Sequence, residues 1–209
     1  MEEIEKLLTN PFNEVKENDL KDFQDKCLKI TNELFKYFCI QCGNRCFRFA
    51  EIEFYYYDYD DFNKEWNEKT YARTEKSAGD LFFHYSGVDI CFNSDFDNKT
   101  FGGILIRSLV EKLESGAERY ITGPLLCVNE ILNSCAKKKE WPKIIKTEER
   151  ICEIAQCSRY GISYEDKDFQ DNICFYDKSI VLKNDFPMSS WNYQKGEPKN
   201  VKRYYKRFE

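Results

Sequence analysis

Glu51, Glu53 and Tyr55 stand at every second position of RFAEIEFYYY (residues 48–57), a run that is otherwise mostly apolar and aromatic. A carboxylate in such a setting either faces water or is held for a purpose, because burying it unpartnered is expensive. Held carboxylates do acid–base work: one placed beside a reacting water accepts its proton as the new bond forms. A neighbouring aromatic ring could bind a flat substrate. Arg107, the one cation in GILIRSLV, could supply a counter-charge, and His84 is the single histidine of the chain. Cys39, Cys42 and Cys46 have the local spacing of half a zinc site, yet no second Cys pair or Cys-His pair completes it, Cys152 and Cys157 being the nearest candidates. We therefore expect no zinc and read most of the ten cysteines as reduced thiols packed as small apolar side chains. No phosphate-cradling glycine loop and no G-x-S-x-G elbow is present.

The elements that must position these groups follow from periodicity. Leu20, Phe23, Cys27, Ile30, Leu34 and Phe38 recur every three or four residues, predicting an amphipathic helix that Asp19 can cap. Gly43-Asn44 supplies a turn into the glutamate strand, whose period of two predicts Ala50, Ile52 and Phe54 on one face and Glu51, Glu53 and Tyr55 on the other. Residues 58–78 are polar and read as a long connection. LFFHY and VDICF predict a hairpin over 81–93 joined at Ser86-Gly87. GILIRSLV predicts a strand with Ile104, Ile106 and Ser108 on one side and Leu105, Arg107 and Leu109 on the other. Pro124 opens a helix carrying Leu125, Val128, Ile131, Leu132 and Cys135. Beyond residue 137 the pattern weakens to short strands near Ile173–Leu182 and a basic tail from Gln194.

A chain of 209 residues suits one domain. With 42% hydrophobic and 16% aromatic residues it is not an intrinsically disordered or low-complexity chain. No apolar stretch is long enough to span a bilayer and MEEIEKLL lacks the pattern of a signal peptide, so we expect a cytoplasmic protein without membrane association. The net charge of -5 argues against indiscriminate nucleic-acid binding, but it is unevenly spread. Residues 1–136 hold 16 basic and 25 acidic side chains, residues 137–209 hold 16 and 12.

In order, RFAEIEFY, GDLFFHYSGVDICFN, GGILIRSL and ITGP resemble the blocks of the alkyladenine (3-methyladenine) DNA glycosylase family of the mammalian type. The family pattern is an Arg-x-x-Glu-x-Glu-x-Tyr strand, a tyrosine-rich hairpin ending in Asn, a Leu-x-Arg-x-Leu strand and a Gly-Pro turn opening a helix. The blocks span residues 48 to about 135, and Arg159-Tyr160-Gly161-Ile162 is similar to a later block. The resemblance implies base excision: a damaged nucleotide is flipped from the duplex, stacked on aromatic rings, and released by a carboxylate-activated water. It implies Glu53 as general base, Arg107 beside the catalytic water, Tyr55, Phe82 and His84 as pocket or stacking residues, Asn93 at the pocket floor, and Tyr85 as a DNA contact. The hairpin here is one residue shorter than the family's, and the family's histidine in the loop after the glutamate strand has no match. Pocket chemistry therefore differs.

These readings converge on a single α+β domain with a curved, mostly antiparallel sheet and peripheral helices, similar to the alkyladenine glycosylase fold. The expected activity is that of a monomeric, monofunctional DNA glycosylase acting on double-stranded DNA with a damaged or modified base and needing no cofactor. The tail residues Lys202, Arg203, Lys206 and Arg207, with Lys195 and Lys199, are expected to contact phosphates. A non-catalytic nucleic-acid-binding module on the same fold and a hydrolase of free modified nucleosides are the alternatives.

Overall fold

Antiparallel pairing accounts for every described strand contact, and the strands join into one nine-stranded sheet. The computed structural model describes residues 2–9, 20–57, 77–95, 100–157 and 174–181. The strands are β1 (Phe38–Cys42), β2 (Arg45–Tyr57), β3 (Leu81–His84), β4 (Gly87–Asp95), β5 (Thr100–Lys112), β6 (Glu118–Thr122), β7 (Lys143–Lys146), β8 (Ile154–Cys157) and β9 (Cys174–Asp177). The helices are α1 (Glu2–Leu8), α2 (Leu20–Tyr37), α3 (Pro124–Lys138) and the short α4 (Lys178–Val181). The spine of the sheet runs β3-β4-β5-β2-β1-β7; β6 extends the β5 edge, while β9, paired with β8, continues the β2 edge beyond β1. The result is a single-domain α+β fold with a curled antiparallel sheet and few helices. No described helix is long and apolar enough to cross a membrane.

The main core joins α1, α2 and α3 to the sheet. Cys27, Ile30 and Leu34 of the expected helical stripe are buried against Phe47, Phe49, Ile52 and Phe54 of β2. Phe38 continues that stripe in sequence but already belongs to β1. On α3, Cys127, Ile131 and Cys135 face the core, whereas Leu125 and Leu132, expected on the same stripe, are 55% and 40% exposed. The hairpin turns at Tyr85-Ser86, since His84 pairs with Gly87, one residue earlier than the expected joint. The expected strands near 173–182 resolve into β9 followed directly by α4.

In the β2–β5 ladder strand alternation breaks at one place, and the break shapes the site. Phe49 pairs with Leu109, Glu51 with Ser108, and Ile52 with Ile106, leaving Ala50 unmatched on β2 and Arg107 unmatched on β5. Each unmatched residue is a bulge, and an extra residue inverts the faces of everything beyond it. Phe47 and Phe49 thus share the main core with Ile52 and Phe54, while Ala50 joins Val110, Cys174, Tyr176 and Ile180 in a second, smaller cluster. Leu109 joins Ile104 and Ile106, and Ser108 lies with the carboxylates. A strict period of two misplaces Ala50, Ser108 and Leu109 because it carries no register information.

Candidate active site

The carboxylate face of β2 is closed by its neighbours. Glu53 pairs with Leu105 of β5 and Cys174 of β9, and Glu51 pairs with Ser108 and Tyr176. Both glutamates are buried, Glu53 completely. Tyr55, two residues on and therefore on the same face, donates its hydroxyl to Glu53 Oε1 at 2.6 Å. Arg107 donates from Nη1 to Glu53 Oε2 and from Nε to Glu51 Oε1, the latter at 3.2 Å. Ser108 Oγ donates to Glu51 Oε2 at 2.9 Å. Glu51 and Glu53, set apart by their positions along the strand, are therefore joined through one guanidinium. The bulge makes this possible, because consecutive residues of a regular strand point to opposite faces.

Helix α3 starts beside this cluster. Gly123 has φ of 105°, a conformation side chains rarely adopt, and its N–H donates to the Arg107 carbonyl at 2.8 Å. Pro124 then begins the helix with φ already set. Burial alone would lower the proton affinity of Arg107, but the charges of Glu53 and Glu51 outweigh it and hold the guanidinium well above its ordinary range. On α3, Cys127 is fully buried: desolvation first, and then the charge of Glu51, push its thiol far up, so it stays protonated and is no thiolate nucleophile.

The row from Glu53 continues through Leu105 to Asp89 of β4 and Phe82 of β3. Phe82 is three strands from Glu53, roughly 14 Å at about 4.8 Å per strand in a flat sheet. His84 stacks on Phe82 at 5.8 Å between centroids. Its ring nitrogens are engaged on both sides, Nδ1 with Ser86 Oγ at 2.9 Å and Nε2 with Asp89 Oδ1 at 3.2 Å. The histidine is anchored in orientation. Tyr85, at the turn of the same hairpin, is 84% exposed. Asn93 lies in β4, and its side chain is outside the described residues, as are Lys195, Lys199, Lys202, Arg203, Lys206 and Arg207, the segment 58–76 and the block at Arg159.

Sequence reasoning misses two members of this face. Ser108 was assigned to the opposite side. Asp89 offered no signal except its place as an acid inside the apolar run VDICF. The thiols need a further correction: Cys39 and Cys46 are disulfide-bonded. They sit diagonally across the β1–β2 ladder, in which Cys39 faces Arg48 and Gln41 faces Cys46, a proximity the turn at Gly43-Asn44 creates. No protein-family model matches the chain, and no curated protein matches it.

Proposed function

We propose that the chain is a monofunctional DNA glycosylase, similar to the alkyladenine glycosylases, that hydrolyses the N-glycosidic bond of a damaged or modified base in double-stranded DNA. The observation that carries this reading is the pair Glu53–Arg107, a carboxylate and a guanidinium in direct contact on the face that also bears Tyr55. In the reaction, a water oxygen bonds to C1′ as the C1′–N bond breaks, and the base departs with the electron pair. Glu53 takes the water proton. Arg107 and the Tyr55 hydroxyl orient that carboxylate, and Tyr85 at the hairpin tip contacts the duplex.

The complete burial of Glu53 favours a second reading, in which Glu51, Arg107 and Glu53 form a structural brace in a nucleic-acid-binding module without catalysis. One experiment separates the two. Single-turnover base release is measured on a panel of duplexes carrying alkylated, deaminated and hypermodified bases, together with duplex affinity. Base release by the wild type that is abolished in Glu53→Gln, with affinity retained, supports the glycosylase. Tight binding without release on any duplex supports the module, and neither release nor binding removes both.

A further inference from the structure

Away from the glutamates, on the side of the sheet that carries the disulfide, two arginines converge at the C-terminal end of α2. Arg48 projects from β2, where it pairs with Cys39 of β1 and Val110 of β5. Arg150 follows β7, and its segment runs back along the last turn of α2. Thr147 N–H donates to the Tyr37 carbonyl at 2.6 Å, Arg150 N–H to Lys36 at 3.2 Å, and Arg150 Nε to Phe35. Three carbonyls that a helix end leaves unsatisfied are thereby capped. This use of Arg150 consumes only Nε. Both terminal nitrogens, Nη1 and Nη2, are shielded from solvent without a hydrogen-bond partner among the described residues, and so is Nε of Arg48.

Three buried guanidinium nitrogens without acceptors are a costly arrangement, since each forfeits hydration and receives nothing in return. The charges of Asp177 and Glu118 compensate only in part, since both carboxylates are engaged elsewhere. Glu118 accepts from Arg48 Nη2 and from the Tyr120 hydroxyl, and Asp177 accepts at Oδ1 from Glu153 N–H, Ser179 N–H and Ser179 Oγ. Burial, followed by the like charge of Arg48, pushes Arg150 down to about 10. A guanidinium donates in a planar fork that matches an oxyanion, and two cations side by side match its charge. Arg48 is 27% exposed at its side chain, so the pair lies close beneath the surface.

We propose that Arg48 and Arg150 together form a binding site for a phosphate group. The same chemistry is offered by a DNA phosphodiester and by free phosphate, and the test distinguishes them. The site does not depend on Glu53 being catalytic.

The experiment titrates the full-length chain with inorganic phosphate against chloride at matched ionic strength, following Tm. The wild type gains about 5 °C or more when phosphate exceeds its Kd about 100-fold. Arg48→Gln and Arg150→Gln lose that gain. Should Arg150→Gln not fold, Arg48→Gln carries the comparison, because Arg48 caps no helix. A second arm measures duplex affinity against salt. If the phosphate belongs to DNA, Arg48→Gln reduces the slope of log affinity against log salt by about 0.9 and inorganic phosphate competes with duplex. If the site takes free phosphate, the slope is unchanged while the Tm gain remains. A wild type whose Tm ignores phosphate and whose salt slope is unaltered by Arg48→Gln overturns the proposal.

Discussion

Arg107 and Ser108 are consecutive in β5, yet both hydrogen-bond the carboxylate of Glu51, from Nε at 3.2 Å and from Oγ at 2.9 Å. A regular strand would send one of them into the opposite core. The bulge turns both toward β2 and so assembles Glu51, Arg107 and Glu53 into one buried ionic unit. Replacing Arg107 by Met leaves two carboxylates buried without their cation. We expect a loss of about 3–5 kcal/mol in urea unfolding. Adding Glu51→Gln and Glu53→Gln to Arg107→Met should recover much of it, since the uncompensated charges are then gone.

If Glu53 is the general base, Glu53→Gln lowers single-turnover base release by about 10²–10⁴ while leaving duplex affinity intact. Glu51→Gln keeps an acceptor for Ser108 and should cost less in rate. Its main expected effect is on stability, through the weakened hold on Arg107. Equal rate losses in the two variants would show that the glutamates act only as a brace.

Tyr85 separates binding from folding. It is largely exposed at a two-residue turn, so Tyr85→Ala should leave Tm nearly unchanged. Loss of an aromatic contact with nucleic acid should weaken duplex affinity by about 1–3 kcal/mol if the ring stacks on a base. An unchanged affinity in a binding titration removes the hairpin tip from the interface.

A second ionic cluster, in which Arg45 and Arg119 both pair with Glu111 and Glu130, predicts acid sensitivity. Glu111 is held below the usual carboxylate range, chiefly by hydrogen bonds from Arg45, and Glu130 chiefly by those from Arg119. A depressed folded-state value means that the unfolded chain takes up protons first as pH falls. The stabilisation is complete above the ordinary value of about 4.3 and is lost as pH drops below it toward the depressed native values. Urea midpoints followed from pH 7 to 2.5 should fall in that window. Glu111→Gln, less stable at pH 7, should show a shallower fall.

Gly102 tests the packing that carries β4 against β5. A Cβ on Gly102 would lie 2.4 Å from Cε2 of Phe92, the residue with which Gly102 pairs. Phe92 is fully buried and packs edge-on against Phe54, so the ring has little freedom to yield. Gly102→Ala should cost about 1–3 kcal/mol. Phe92→Leu in the same chain should soften that penalty, a coupling measurable in a double-mutant cycle.

Local chemistry made much of this protein legible without coordinates. Hydrophobic spacing is sufficient to find α2 from Cys27, Ile30 and Leu34, alternation to find β2 and the hairpin, and a Gly-Pro step to start α3. It also put Glu53 and Tyr55 on one face. Pairing across strands is a different kind of information: β6, β7 and β8 are short and weakly patterned, and become strands only because an edge is available to them. The bulges at Ala50 and Arg107 carry no sequence signature, so the faces of Ala50, Ser108 and Leu109 were decided by the register of β2 on β5. The same holds for the Cys39–Cys46 bond and for the Arg48–Arg150 pair, whose partners are distant in sequence or set by a turn. Sequence determined which charged groups had to be explained. Tertiary structure decided which of them meet, because burial selects partners by proximity across strands, and one unmatched residue changes who is near whom.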